Sequence, residues 1–148
     1  MEINEALNEI LVKLFRNINN IEEQAIRTEE YKDLTTNEMH VMEAIGQDAA
    51  KNMSAVARAL GVTTGTLTIS VNSLVKKGYV DRMRSEEDRR VVLVSLSPRG
   101  RSAFRHHQHF HEEMIEGIVT QMNEEEKKVL AKALTNLNIF FMEKAKKK

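Results

Sequence analysis

Between Gly78 and Leu96 the chain reads Gly-Tyr-Val-Asp-Arg-Met-Arg, then Ser-Glu-Glu-Asp-Arg-Arg, then Val-Val-Leu-Val-Ser-Leu. Tyr79, Val80 and Met83 on one side and Val91 to Val94 on the other are strand formers, and the six residues between them are turn formers. The pattern predicts a β-hairpin whose tip carries arginines that a hairpin core does not need. Immediately upstream, residues 62–77 predict a helix, because Leu67, Val71, Leu74 and Val75 recur at i, i+4, i+7 and i+8 while the other face holds hydroxyls and amides. A helix with short polar side chains, followed at once by an arginine-tipped hairpin, constrains the chain to a winged helix-turn-helix. In that arrangement the helix enters the major groove of DNA and the hairpin arginines reach phosphates or a narrow minor groove.

Net charge taken alone argues the other way, since 22 Lys and Arg balance 22 Asp and Glu. Its distribution restores the argument. Residues 53–105 hold ten Lys or Arg against four acidic residues, so the hairpin and its helix lie in a basic segment flanked by acidic ones. The chain has no cysteine, which removes disulfides and thiolate metal sites from consideration. It opens on Glu2, Glu5 and Glu9, and no apolar run exceeds four residues, so neither a signal peptide nor a membrane span is expected and a cytoplasmic location follows.

Around the hairpin the periodicity is helical. Ile3, Leu7, Ile10, Leu14, Ile18, Ile21 and Ala25 predict a first helix to about residue 28, and Thr35-x-x-Glu38 is a capping box opening a second that Gly46 ends. A short helix near Ser54 to Leu60 turns at Gly61 into the 64–77 helix. Ser97-Pro98 starts a fifth helix running to about Gln121, and Asn123-x-x-Glu126 caps a sixth. The expected fold class is therefore mainly α (α+β): a winged helix-turn-helix over residues 35–97, with long terminal helices over 1–34 and 98–148 forming a dimerisation region. The first, fifth and sixth helices carry more apolar surface than one small domain can cover, which predicts a homodimer reading an inverted repeat with its helices ~34 Å apart.

The run Asp88-Arg89-Arg90-Val91-Val92-Leu93-Val94-Ser95-Leu96-Ser97-Pro98-Arg99-Gly100 resembles the wing signature of the MarR family of dimeric winged-helix regulators. Glu38-Met39-His40, Gly65-Thr66-Leu67-Thr68 with Asn72, Arg84 to Arg90, His107, Phe110-His111 and Leu134-Thr135-Asn136-Leu137 are similar to the members of that family that repress fatty acid synthesis genes. The resemblance implies a repressor of type II fatty acid synthesis genes with long-chain acyl carrier protein as corepressor. It also implies that Thr64, Thr66, Thr68 and Asn72 face the major groove, that Arg89 enters the minor groove, and that Arg84 and Arg90 bind phosphate or an intramolecular carboxylate. Asp88 is expected to orient Arg89 or Arg84. Effectors in the family sit where the first, second and fifth helices meet the DNA-binding domain. The candidate ligand-binding residues are accordingly Phe15, Ile18, Met39, His40, Met42, Phe104, His107, Phe110, His111 and Met114, and Arg99, Arg101 and Arg105 are candidates for contact with the acidic carrier protein.

His107 and His111, spaced i, i+4, share a face with Phe104 and Met114, while His106 and His109 lie towards acidic residues. With His40 and Glu22 or Glu23 such a pair could hold zinc, as in zinc-sensing members of the family. The competing expectation is a buried hydrogen-bond cluster with no metal or other cofactor. No nucleophile elbow, glycine-rich loop or catalytic base motif accompanies the histidines, so an enzyme is not expected and no catalytic residue is assigned. A winged module that binds only protein would show no salt-dependent affinity for duplex DNA.

Overall fold

The computed structural model describes residues 2–146. In chain order the elements are α1 (Ile3–Ile26), α2 (Thr36–Ile45), β1 (Lys51–Asn52), α3 (Met53–Leu60), α4 (Thr64–Lys77), β2 (Val80–Arg84), β3 (Val92–Leu96), α5 (Pro98–Val119) and α6 (Glu124–Lys146). They form a mainly helical winged helix-turn-helix, as the sequence predicts. The chain divides into two compact units, residues 1–108 and 109–148, and α5 runs from the first into the second. Met1, Lys147 and Lys148, expected in the terminal helical region, lie outside the described residues.

Local chemistry sets the helix starts. The Thr35 hydroxyl accepts from the Glu38 amide at 3.0 Å while the Glu38 carboxylate accepts from the Thr35 amide at 3.0 Å, a reciprocal capping box. The same exchange joins Asn123 and Glu126 at the start of α6. Asn52 caps α3, accepting from the Ala55 amide at 2.7 Å, so that helix begins at Met53, one residue earlier than expected. Gly61 then turns the chain with φ +69°, a left-handed conformation in which a Cβ would be strained.

The sheet is antiparallel with order β1-β3-β2, and its register pairs Val80 with Leu96 and Arg84 with Val92. Strand β1, whose Lys-Asn sequence has no strand signal, pairs with Val94 and Leu93. Met39, Met42 and Ile45 of α2, Leu67, Val71 and Leu74 of α4, and Val80, Val94 and Leu96 of the sheet are all buried in one core. Met83, one of the strand formers before the turn, is 52% exposed, because β2 leaves the core after Val80.

Two polar contacts hold the recognition elements to their support. At the foot of the wing, the Tyr79 hydroxyl donates to Asp33 Oδ1 at 2.6 Å and the Arg99 guanidinium lies 4.4 Å over the ring. Burial, together with the acceptor and charge of Asp33, pushes the Tyr79 pKa up. A Cβ on Gly100 would fall 2.0 Å from the Tyr79 carbonyl oxygen, so only glycine lets α5 start this close to the hairpin. Between α2 and α4, buried Glu38 accepts from Lys77 Nζ at 2.8 Å and from the Ser73 hydroxyl at 2.7 Å. Burial raises the Glu38 pKa, but the hydrogen bonds from Lys77, Ser73 and Thr35 and the Lys77 charge outweigh it and hold the carboxyl below its ordinary 4.5. Glu38→Gln is therefore expected to destabilise the fold by about 1–3 kcal/mol at neutral pH. A depressed folded-state pKa contributes stability above the unfolded value that is lost as pH falls through the folded one. The gap between wild type and variant in urea melts should consequently close at acid pH, and a gap independent of pH would refute the ion-pair account.

Candidate nucleic-acid interface

The N-terminal half of α4, the start of α3 and the face of the wing enclose a cleft of about 700 Å³. Its lining includes Asn52, Ser54 and Arg58, then Thr64 and Thr68 of α4, then Arg82, Arg84 and Arg90 of the wing, and no acidic side chain. Four guanidinium groups around an uncharged helix end are suited to a polyanion that also presents hydrogen-bonding edges. Of the expected DNA-binding residues, Thr64, Thr68, Arg84 and Arg90 thus meet in one place.

The others are placed differently. Asn72 stands outside the cleft lining, yet its side-chain oxygen accepts a short hydrogen bond from Arg82, which fixes that guanidinium. Thr66 faces a smaller pocket of about 160 Å³ shared with Asn37, His40 and Ser70. Arg89 is exposed at the wing tip, and among the described residues its side chain makes no hydrogen bond or ion pair. Arg58 and Arg82 were not among the residues singled out from sequence. Arg82 could have been found there, since it lies two residues from Arg84 in a strand and so shares its face.

Internal contacts shape the wing. Arg84 Nη1 donates to the Arg89 carbonyl at 2.9 Å, closing the tip. Asp88 pairs with Arg90, accepting from its Nε at 3.1 Å and its Nη2 at 3.2 Å, rather than with Arg89 or Arg84 as expected. The Arg90 side chain and backbone amide accordingly hold the Asp88 carboxyl below its ordinary pKa. The reason is reach: the turn brings the Arg90 amide onto Asp88 Oδ1 at 3.1 Å, which points the Arg90 side chain back at the same carboxylate.

The expected effector residues divide by element. Met39 and Met42 are buried in the core and Phe104 packs partly buried against it, while Phe15 and Ile18 are exposed on α1. In the first unit a histidine–carboxylate cluster joins α1, α2 and α5. Glu22 Oε1 lies 3.0 Å from His40 Nε2 and 3.3 Å from His107 Nε2, and Glu43 Oε1 lies 3.1 Å from His107 Nε2. His107 is 1% exposed. Glu22, not Glu23, enters the cluster because it shares with Ile26 the buried side of α1. Glu43 was not anticipated. In the second unit, the rings of Phe110 and His111 lie 5.5 Å apart between centroids, tilted at 52°, and Met114 follows one turn beyond Phe110.

Comparison with known proteins supplies the family. A family model described as transcriptional regulator SarA/Rot matches residues 24–106, which is more than half of the chain. The crystal structure of Streptococcus pneumoniae FabT in complex with DNA is 43% identical, covers 95% of this chain and 98% of that one, and superposes with a TM-score of 0.89. The transcriptional regulator AdcR of Streptococcus pneumoniae is 30% identical over 107 residues, 70% of this chain and 73% of AdcR. The Staphylococcus aureus MepR–DNA complex shares the fold with a TM-score of 0.68 at 24% identity, covering 85% of this chain and 94% of that one. The relatives are regulators of transcription, and among the described residues no helix is long and apolar enough to cross a membrane. With an arginine-lined cleft between its helix and wing, and with these relatives, the chain belongs to the MarR-type winged-helix family of DNA-binding transcriptional regulators.

Proposed function

We propose that the protein is a homodimeric repressor of type II fatty acid synthesis genes that binds an inverted-repeat operator and takes long-chain acyl carrier protein as corepressor. The observation that carries this reading is the 43% identity to FabT along nearly the whole chain, joined to the resemblance of its helix and wing residues to fatty acid synthesis repressors. The dimer is supported by apolar stripes that a single chain leaves exposed, including Leu7, Ile10 and Leu14 on α1 and Leu134, Leu137 and Phe141 on α6. Phe15, Ile18, Met39, His40, Met42, Phe104, His107, Phe110, His111 and Met114 are the residues that would answer to the acyl chain. Methionines 39 and 42 would have to repack to admit it, which their unbranched, adaptable side chains allow.

The histidine–carboxylate cluster favours a second reading, a zinc-responsive regulator. Glu22, Glu43 and His107 offer ligand atoms within 4.8 Å of one another, and His111 stands one helical turn beyond His107 on α5. Imidazole nitrogens and carboxylate oxygens are a donor set that zinc accepts, so these residues fit the metal, with His40 beside them. Bound there, zinc would tie α1 and α2 to α5. Without it, the same side chains contact one another across three helices.

Shift assays on the promoter of the organism's own fatty acid synthesis genes test both readings. Added long-chain acyl carrier protein should tighten the complex, whereas zinc or a chelator should leave it unchanged. If zinc alone alters affinity, the second reading replaces the first.

A further inference from the structure

The outward face of α4 is a stripe of Gly65, Ile69, Asn72 and Lys76, opposite the buried Leu67, Val71 and Leu74. Ile69, at its centre, is 74% exposed. A lone exposed apolar residue needs no explanation, and β-branching gives it no advantage in a helix. Its neighbourhood is what singles it out, because the polar residues expected to read bases beside it are partly committed to the fold. The Thr68 hydroxyl donates to the Thr64 carbonyl at 2.8 Å, and the Thr66 hydroxyl accepts from Thr63 at 2.9 Å. Asn72 has lent its oxygen to Arg82. Asparagine recognises adenine by donating and accepting at once, so an asparagine whose oxygen is occupied is a weaker reader.

In the major groove the apolar feature of the base edges is the thymine methyl group. We infer that Ile69 packs against a thymine methyl and is a specificity-determining residue of this regulator, with the cleft arginines supplying affinity and Asn72 serving to position Arg82. The inference rests on the reading of α4 as the helix that enters the major groove.

The test uses the full chain and a random-sequence duplex library, from which wild type and Ile69→Ala each select their preferred sites. Wild type should enrich a thymine in each half-site that Ile69→Ala does not. Replacing that thymine with deoxyuridine, which removes only the methyl group, should weaken wild type about threefold to tenfold and leave Ile69→Ala unchanged. Ile69 contributes nothing to the core, so equal melting temperatures should accompany the change in selection. Enrichment of the same thymine by both proteins, no thymine preference in wild type, or an equal response to deoxyuridine would overturn the assignment of Ile69 and leave DNA binding through α4 intact. Failure of wild type to enrich any sequence would overturn the major-groove reading beneath it.

Discussion

Arg82→Ala is expected to weaken operator binding by about 2–6 kcal/mol, because the proposed dimer carries the change twice and each such arginine contributes about 1–3 kcal/mol. Arg82 is the cleft guanidinium held by the recognition helix itself, through Asn72, while Arg90 is held by Asp88 and Arg84 by the wing tip. Its position is therefore set by α4, so on the proposed reading it would meet the phosphates beside that helix already oriented. The loss should be similar on all duplexes, since phosphate contacts carry no sequence information, and the slope of log affinity against log salt should fall by about two. Asn72→Ala separates contact from positioning. It should reproduce part of the lost affinity with the salt slope almost intact, because the arginine charge remains. Titration by fluorescence anisotropy across several salt concentrations would decide this, and an Arg82→Ala protein with wild-type affinity and slope would remove the residue from the interface.

How far such a site is legible in sequence depends on the range of the interactions that build it. The helix-turn-helix and wing rest on short-range chemistry: the reciprocal cap of Thr35 and Glu38, the left-handed Gly61, the strand formers on either side of a charged turn. Each is readable within a few residues, and all of them agree. The partners of side chains are not readable in that way. Asn72 and Arg82 are ten residues apart, and nothing in either local pattern indicates that the turn at Gly78 brings amide and guanidinium together. Glu43 is harder still, since its approach to His107 requires the packing of α2 against α5. Strand β1 has no signal of its own and exists because β3 offers it an edge. By contrast, the choice of Glu22 over Glu23 was available from the helical period, which puts Glu22 one turn before the buried Ile26.

The other large effect is expected far from DNA, in Ile10→Asp and, separately, Leu134→Asp. Both residues are about half exposed in the single chain, at 56% and 51%, so neither variant should lose the fold of its own protomer. Helix α6 has no buried residue at all, although it carries Val129, Leu134, Leu137, Phe140 and Phe141. A helix with that much apolar surface and no core of its own gains its stability from a partner. If the partner is a second copy, an aspartate in the stripe is buried twice per dimer without a counter-charge, and the cost of desolvating it opposes assembly. Sedimentation should then show monomers at concentrations where wild type is dimeric. Operator affinity should drop by about 10²–10⁴, the advantage of binding a second half-site from an already tethered chain. The residual binding should keep the salt dependence of a single wing and helix, because Arg82, Arg84 and Arg90 are untouched. If both single variants stay dimeric, these stripes are covered by something other than a second copy. The two classes of variant therefore fail differently: the arginine changes flatten the salt slope of an intact dimer, and the stripe changes halve the number of sites that can engage at once.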